Sequence, residues 1–304
     1  MNRKKKYIII MVIIIGVYVG IQLIPITDKK TVSLFSQGKD VKIIAHGGAK
    51  AMYPENTLYA FEEVMNYPVD VLEVDLHLTK DNYLVGVHDD TIDAYSDKSG
   101  NVSSYTYEEL LTMNFGYQFQ DKKGNYPYRN VNEELKAKLV PIEAKQLLTL
   151  YKKKVLYIFE VKDNGERGKK AVKILNDIVK KLHLEKQVCI CAFDTKVMEY
   201  CLKIKEKDIS AVMDYQASQE FVVSNYYGYD TFMDFAFDGM MLPTKERDVG
   251  LDNRYLIWKA HKHHKFIYYW TIDDQEEMQR LIDYKVDGII TDRVDILAKL
   301  LNRQ

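Results

Sequence analysis

The sequence predicts an α/β fold, a (β/α)8 TIM barrel, from three observations. Eight short runs rich in β-branched and aromatic residues recur along the chain, and amphipathic helical patterns fill most of the gaps between them. The length of 304 residues suits such a barrel, which commonly takes roughly 250 residues. Repeated strand-then-helix units form a parallel sheet, and eight of them close into a barrel. The predicted strands are residues 41–46, 69–75, 155–161, 188–193, 209–213, 238–242, 266–271 and 287–291.

The helical patterns present one apolar side to the predicted sheet. In residues 166–184, apolar side chains recur at steps of three and four residues, while the lysines fall elsewhere. Asp273 and Glu276 predict a capping box at the start of the helix that follows the seventh strand. We therefore expect the helices to cover the outer face of the barrel.

One segment interrupts the regular alternation of strands and helices. The run YLVGVHD follows DLHLT after only residues 80–82, and so short a connection cannot return the chain for a parallel strand. We predict that residues 75–88 form an antiparallel hairpin, which would fold His88 back over the mouth of the barrel. Residues 89–140, rich in Tyr, Asn, Lys and Gly, are predicted to be an inserted loop region rather than a second domain.

The N-terminal part of the chain predicts a membrane anchor. Residues 7–26 carry no charge, and a helix of that length, at about 1.5 Å per residue, spans the ~30 Å hydrocarbon core of a bilayer. We divide the chain into a cytoplasmic tail (residues 1–6), this transmembrane anchor, a linker (27–40) and a barrel domain (41–304).

The orientation of the anchor follows from the charges that flank it. Four cations precede the apolar run, and the positive-inside rule keeps them in the cytoplasm. The barrel would then lie on the extracytoplasmic face of a single-pass cell-membrane protein. A cleaved signal peptide is the alternative, but the run exceeds the ~7–15 apolar residues of such signals and no small-x-small cleavage site follows it.

The overall charge argues against a nucleic-acid partner. The 43 Lys and Arg residues almost cancel the 44 Asp and Glu residues, so no global basic field would attract a polyanion. The partner that we expect from the residues considered so far is the membrane, through the N-terminal helix.

Charged side chains stand where the first three barrel strands end. His46 closes the first strand, Glu73 and Asp75 end the second, and Glu160 and Lys162 end the third. Residues two apart in a strand share a face, and parallel barrels hold their reactive groups at the carboxyl ends of the strands. We therefore expect these side chains to converge in one cavity.

Such a cluster suggests metal-assisted phosphodiester chemistry. Three converging carboxylates repel one another unless a cation lies between them, and oxygen ligands favour Ca²⁺ or Mg²⁺. Lys162 would help to neutralise a phosphate, and His46 and His88 have side chains suited to exchanging protons near neutral pH. The cluster therefore predicts a phosphodiesterase site with one divalent cation as cofactor.

The chain resembles the glycerophosphodiester phosphodiesterase family from about residue 42 to residue 297. Its segments HGGAKAMYPENT, LEVDLHLTKDN, VGVHDDTID, FEVK, YYWTIDD and VDGIITDRVD follow the family pattern in order. The resemblance implies a (β/α)8 barrel that cleaves glycerophosphodiesters to glycerol 3-phosphate and an alcohol. It implies metal ligation by Glu73, Asp75 and Glu160, acid/base roles for His46 and His88, and phosphate binding by Lys162. Trp270, at a strand end, and Glu55 of the PENT motif are assigned to substrate binding.

The resemblance has two departures that bear on catalysis, at Gly47 and at Ala94, where the pattern often has an arginine after His-Asp. Gly47 stands where the family has an arginine after the first histidine, so one cation that would hold a phosphoryl oxygen is missing. Loss of such a contact weakens transition-state stabilisation unless another group replaces it. Two alternatives to the main hypothesis stay open at this stage: a lysophospholipase D-type hydrolase of lysolipids, and a catalytically weak barrel that binds diesters as a scaffold.

Overall fold

A computed structural model describes residues 3–24, 26, 33–36, 38 and 40–303 of the chain. Parts of the predicted tail, anchor and linker, namely residues 1–2, 25, 27–32, 37 and 39, lie outside the described residues, as does residue 304. The strands are β1 (Lys42–Ala45), β2 (Val71–Leu78), β3 (Leu84–Gly86), β4 (Leu156–Val161), β5 (Val188–Cys191), β6 (Ser210–Ala211), β7 (Gly239–Pro243), β8 (Lys245–Glu246), β9 (Val249–Gly250), β10 (Phe266–Trp270) and β11 (Gly288–Thr291).

Helices follow most of these strands and cover the outside of the sheet. The α-helices of the described residues, including the N-terminal helix α1, are α1 (Arg3–Gln22), α2 (Leu58–Val64), α3 (Tyr107–Leu110), α4 (Glu133–Lys136), α5 (Ala144–Tyr151), α6 (Gly165–Leu182), α7 (Thr195–Ile204), α8 (Tyr215–Tyr227), α9 (Arg254–Lys262), α10 (Gln275–Asp283) and α11 (Val294–Leu300). In α6 the buried face includes Val172, Leu175 and Val179, as the spacing of its apolar residues predicts.

Eight strands form a nearly closed parallel barrel. Their order around the sheet is β6, β5, β4, β2, β1, β11, β10 and β7. The two outer strands meet only through a single parallel bridge between Val212 and Gly239. The predicted (β/α)8 barrel is confirmed, and each of the eight predicted runs contains or overlaps one of these strands.

The predicted hairpin is also present. β3 pairs antiparallel with the carboxyl end of β2, in the register Leu76 to Gly86 and Leu78 to Leu84. The insertion that follows packs onto this hairpin through a small apolar cluster of its own, which includes Val85, Ile92 and Leu110. The hairpin and insertion therefore extend the barrel beyond β2, on the side where the chain continues to His88.

The capping prediction for α10 is wrong by one residue. Asp274, not Asp273, caps this helix and accepts hydrogen bonds from the N–H groups of Glu276 and Glu277. Asp273 instead accepts hydrogen bonds from the Asp292 N–H (2.8 Å) and from the hydroxyl of Thr291 (2.9 Å). Its carboxylate thus ties the end of β11 to the loop after β10.

The amino end of the barrel is closed by an aromatic side chain. Phe35 is fully buried and lies 5.8 Å from Phe266, centroid to centroid, at the start of β10. The hydroxyl of Tyr268 donates to the backbone oxygen of Phe35 (2.7 Å), and the hydroxyls of Ser33 and Ser210 are 2.7 Å apart. Four residues of the predicted linker, 33–36, therefore form part of the packed barrel.

The N-terminal helix α1 is long and apolar enough to cross a membrane, and none of its residues is buried. Its last turns contact α9 on the flank of the barrel. The hydroxyls of Tyr18 and Tyr255 are 3.0 Å apart, and Lys262 Nζ donates to the backbone oxygen of Gln22 (2.6 Å).

Candidate active site

The charged residues predicted at the strand ends line one cavity. It has a volume of about 960 Å³ and opens at the carboxyl end of the barrel. The predicted site residues in its wall are His46, Glu73, Asp75, His88, Glu160, Lys162 and Trp270. Strand alternation brings them together, because residues two apart on β2 and at the end of β4 face the same interior.

Three carboxylates meet at the bottom of this cavity. One oxygen each from Glu73, Asp75 and Glu160 lies within 4.8 Å of the others. The Gly47 N–H donates to Glu73 Oε2 (2.8 Å), and Asn56 Nδ2 donates to Asp75 Oδ2 (3.0 Å). These backbone and amide donors fix the orientation of two of the three carboxylates.

Lys162 binds two members of this group. Its Nζ donates to Glu160 Oε1 at 2.7 Å and lies 3.3 Å from Asp75 Oδ1. Burial disfavours the charged ammonium, but the charges of Glu160 and Asp75 outweigh burial and raise the pKa of Lys162. The lysine is therefore a cation inside the carboxylate cluster.

The carboxylates carry more negative charge than Lys162 can balance. Burial raises the pKa of Glu73 to about 8, and the neighbouring charge of Asp75 acts in the same direction. Burial also raises the pKa of Glu160, whereas Lys162 overcomes burial and lowers the pKa of Asp75. A divalent cation would allow all three groups to ionise, and an all-oxygen donor set suits a hard ion. The residues present therefore fit one divalent cation.

His46 is joined to the end of the last strand. Its Nδ1 lies 2.7 Å from Asp292 Oδ1, and Asp292 is held in turn by Asp273. Burial alone would lower the pKa of His46, but the Asp292 hydrogen bond and the charge of Glu73 raise it to about 9. The hydrogen bond to Asp292 therefore favours the protonated form of His46.

His88 reaches the same cavity from the hairpin. It follows β3, and its Nδ1 lies 2.8 Å from Asp89 Oδ1. Its side chain is 41% exposed, against 15% for His46, so the two histidines differ in their access to water. The hairpin places His88 over the mouth, where the sequence predicted it.

The residues assigned to substrate binding occupy different positions. Trp270 lines the cavity at the end of β10 and is 36% exposed. Glu55 is not among the residues that line the cavity, and its Oε2 is buried without a hydrogen-bond partner among the described residues. Burial raises the pKa of Glu55, although the charge of Lys50 opposes this rise.

Two polar residues that hold this site were not singled out from the sequence. Asp292 lies in the segment VDGIITDRVD and Asn56 in PENT, so both lay in quoted motifs without a role. The position of Asp292 just after β11 was the available signal, because polar residues at strand ends face the mouth of a parallel barrel. Asn56 gave no such signal, since a loop carries it to Asp75.

Comparison with protein families agrees with this geometry. The model of the glycerophosphoryl diester phosphodiesterase family matches residues 46–296. The chain belongs to this family. A glycerophosphodiester phosphodiesterase of Caldanaerobacter subterraneus subsp. tengcongensis is 29% identical over 272 residues, which cover 86% of this chain and 98% of the relative.

Solved structures share the fold of this phosphodiesterase. A glycerophosphoryl diester phosphodiesterase domain from Mycobacterium tuberculosis has a TM-score of 0.71 at 13% identity and covers 87% of this chain and 100% of its own. A phosphodiesterase of Oleispira antarctica, solved with the product sn-glycerol-3-phosphate, has a TM-score of 0.67 at 13% identity and covers 86% and 96%. These structures share the fold, and the family match identifies the chain as a phosphodiester hydrolase.

Proposed function

We propose that this phosphodiesterase cleaves glycerophosphodiesters to glycerol 3-phosphate and an alcohol with the help of one divalent cation, Ca²⁺ or Mg²⁺. The observation that carries the proposal is the group of three carboxylate oxygens within 4.8 Å of one another, in a cavity that two histidines also line. Glu73, Asp75 and Glu160 would hold the cation. When bound there, a divalent cation supplies positive charge that polarises the phosphoryl group.

We assign the two histidines to different proton-transfer steps. The hydrogen bond to Asp292 and the charge of Glu73 favour the protonated form of His46, so His46 is assigned to protonate the leaving alkoxide. His88 is assigned to take the proton from the nucleophile, since its Nδ1 faces Asp89 and its Nε2 is left to accept. The nucleophile is water or the neighbouring glycerol hydroxyl. Attack by water gives glycerol 3-phosphate directly, whereas attack by the glycerol hydroxyl first gives a cyclic phosphate, so the first product distinguishes the two routes.

Lys162 is assigned to hold the carboxylates in place and to offset their charge. Its contacts with Glu160 and Asp75 support this role. Trp270 and Glu55 stay assigned to substrate binding, with Trp270 against the organic part of the diester. The scaffold alternative gains no support, because both histidines and all three carboxylates come together in one cavity.

The assay that tests this proposal uses the full-length protein in detergent with glycerophosphocholine. We expect release of glycerol 3-phosphate and choline in equal amounts in the presence of Ca²⁺ or Mg²⁺. Lysophosphatidylcholine in the same detergent serves as the comparison substrate. Release of choline from the lysolipid alone, with none from glycerophosphocholine, would transfer the assignment to the lysolipid alternative.

We also propose that α1 anchors the enzyme in the cell membrane, with its catalytic domain on the extracytoplasmic face. The proposal rests on the length and composition of α1 and on the four cations at its start. A charge at mid-bilayer costs about 2.5–3.5 kcal/mol, so replacing Ile13 and Ile14 by lysine should release the protein from membranes. Protease added to intact cells should remove the barrel, after removal of any cell wall. Full protection until the membrane is permeabilised would show that the barrel lies on the cytoplasmic face instead.

A further inference from the structure

Lys50 is a cation of the catalytic cavity that none of the assignments above uses. After β1, residues 46–48 form a 3-10 turn, and Ala49 takes the left-handed conformation (φ 70°) with its N–H donating to His46 O (2.8 Å). This turn carries Lys50 back to the cavity, where it lines the wall with His46 and Glu73. Its positive charge acts on His46 and on Glu55, lowering the pKa of each.

The other cations of the cavity wall are differently placed. Lys162 is engaged by Glu160 and Asp75, at 2.7 and 3.3 Å, so its charge is already balanced inside the carboxylate cluster. Arg247 is exposed in the turn between β8 and β9. Within the described residues, the Lys50 ammonium has neither an ion pair nor a hydrogen bond, and the side chain is half-buried. Lys50 is therefore a cation whose charge acts on His46 and whose donors are free for a ligand among the described residues.

The charge balance of the site indicates which ligand this is. Three ionised carboxylates would be neutralised by Lys162 together with one divalent cation, which leaves His46 and Lys50 as the groups that can offer positive charge to a bound anion beside them. A phosphodiester carries one negative charge, and an ammonium group offers it a point charge with three hydrogen-bond donors. Lys50 adds a positive charge beside the histidine that would protonate the leaving group, and this charge stays on the ammonium when His46 gives up its proton.

We propose that Lys50 binds a non-bridging oxygen of the phosphodiester and of the glycerol 3-phosphate product. The proposal rests on the proposed function and assigns its phosphate contact to this lysine. Lys50 would also compensate for the arginine that is missing at position 47, because it supplies a cation beside the same histidine three residues further along the chain. The Cβ of an arginine at position 47 would lie 3.4 Å from Glu55 Cβ. The charge of Lys50 also acts on Glu55, so positions 47 and 50 both lie near this residue.

The test compares Lys50→Gln and Lys50→Met with wild type, Lys50→Arg and the control Lys80→Gln. Lys80 is an exposed lysine between β2 and β3 and lies outside the cavity wall. Lys80→Gln therefore removes the same charge as Lys50→Gln, at the same end of the barrel. Binding of glycerol 3-phosphate to the full-length protein is measured by calorimetry with Mg²⁺ present, and KM and kcat are measured for glycerophosphocholine. Melting temperatures check that each variant is folded.

We expect both uncharged variants to weaken product binding and to raise KM by about 10- to 100-fold, the loss typical of one hydrogen bond to a charged group. Lys50→Arg should recover most of this loss, and Lys80→Gln should bind the product as wild type does. Equal product binding by wild type and the uncharged variants, whether all bind or none do, would overturn the assignment of Lys50. The proposed function fails separately, if wild type binds the product but shows no turnover.

Discussion

The two ends of the barrel are built from the same strands and differ in what those strands present to the interior. At the amino end the interior is apolar and closed, with Phe35 packed against Phe266. At the carboxyl end it is charged and open, with a cavity of about 960 Å³. On three of these strands the change takes place within two residues, from Ile44 to His46, from Val71 to Glu73 and from Ile158 to Glu160.

The difference shows how one fold separates stability from chemistry. The apolar half supplies packed surface, which stabilises the barrel at about 25 cal/mol per Å² of buried apolar area. The charged half is costly, because burial raises the pKa of Glu73 and Glu160. We infer that the rigid amino half holds these charged side chains close together against their mutual repulsion.

Removing either histidine should cause the largest loss of activity. We expect His46→Ala and His88→Ala each to lower turnover by roughly 10²–10⁴-fold, as is usual for general acid/base groups, while the melting temperature changes little. Steady-state kinetics with glycerophosphocholine and thermal unfolding provide the two measurements. A loss below tenfold for either variant would remove that histidine from proton transfer.

Removing a carboxylate should produce a loss that excess metal partly reverses. In Glu73→Ala, Asp75→Ala and Glu160→Ala, we expect turnover at low metal to fall by about 10- to 100-fold, as for weakened metal affinity. Raising Ca²⁺ or Mg²⁺ to millimolar levels should restore part of this activity. The histidine variants are the control, since metal should not rescue them. The opposite rescue pattern would mean that ligands and proton carriers have been exchanged.

Replacing the carboxylate behind His46 should shift the pH profile. Asp292→Asn removes the charge and weakens the hydrogen bond that together raise the pKa of His46, so this pKa should fall from about 9 towards its ordinary value of about 6.5. A general acid works only while protonated, so the alkaline limb of kcat/KM should move to lower pH. At pH 8, activity should drop by about tenfold.

The amino end supplies a matched control for this variant. Asp287 pairs with another histidine, His261, at 2.9 Å, but at the opposite end of the barrel. Asp287→Asn should therefore leave the pH profile of the folded enzyme unchanged. An unshifted alkaline limb in Asp292→Asn, or the same shift in both variants, would contradict the assignment of His46 as the acid.

Truncating the aromatic residue at the amino end should affect stability and leave catalysis nearly intact. Phe35→Ala removes a fully buried ring, which typically costs about 3–5 kcal/mol in the free energy of unfolding. Phe193→Ala is the counterpart at the mouth, where the ring is 57% exposed, and should change stability by less than about 0.5 kcal/mol. Denaturant unfolding measures both values.

The catalytic consequence of Phe35→Ala is the smallest effect that we predict. The kcat/KM of the folded fraction should stay within about threefold of wild type, because Phe35 packs at the start of β10, at the end of the barrel opposite the charged residues. A large catalytic loss at full folding would show that the two ends are coupled.

Much of this comparison is readable in the sequence because both ends follow the two-residue period of a strand. The pairs Glu73 with Asp75 and Glu160 with Lys162 indicate a shared face without any tertiary information. The short connection at residues 80–82 likewise admits only a hairpin. Local geometry was therefore sufficient for the fold and for the centre of the site.

The features that the sequence did not predict depend on contacts between distant segments or on special turns. Asp292 is 246 residues from His46, and only closure of the barrel brings them together. Phe35 lies in a polar stretch that resembles a linker. It is buried because its ring closes the amino end of the barrel against Phe266. Lys50 reaches the cavity only because Ala49 takes a left-handed conformation.

The central claim is that the charged end of the barrel is a phosphodiesterase site organised by one divalent cation. The most direct measurement strips the full-length protein of metal, then follows glycerophosphocholine hydrolysis while Ca²⁺ or Mg²⁺ is added back. Stripped enzyme should be inactive, activity should return along a saturable curve with one cation bound per chain, and Asp75→Ala should require more metal. Full turnover by the stripped enzyme, unchanged on adding either ion, would contradict the account.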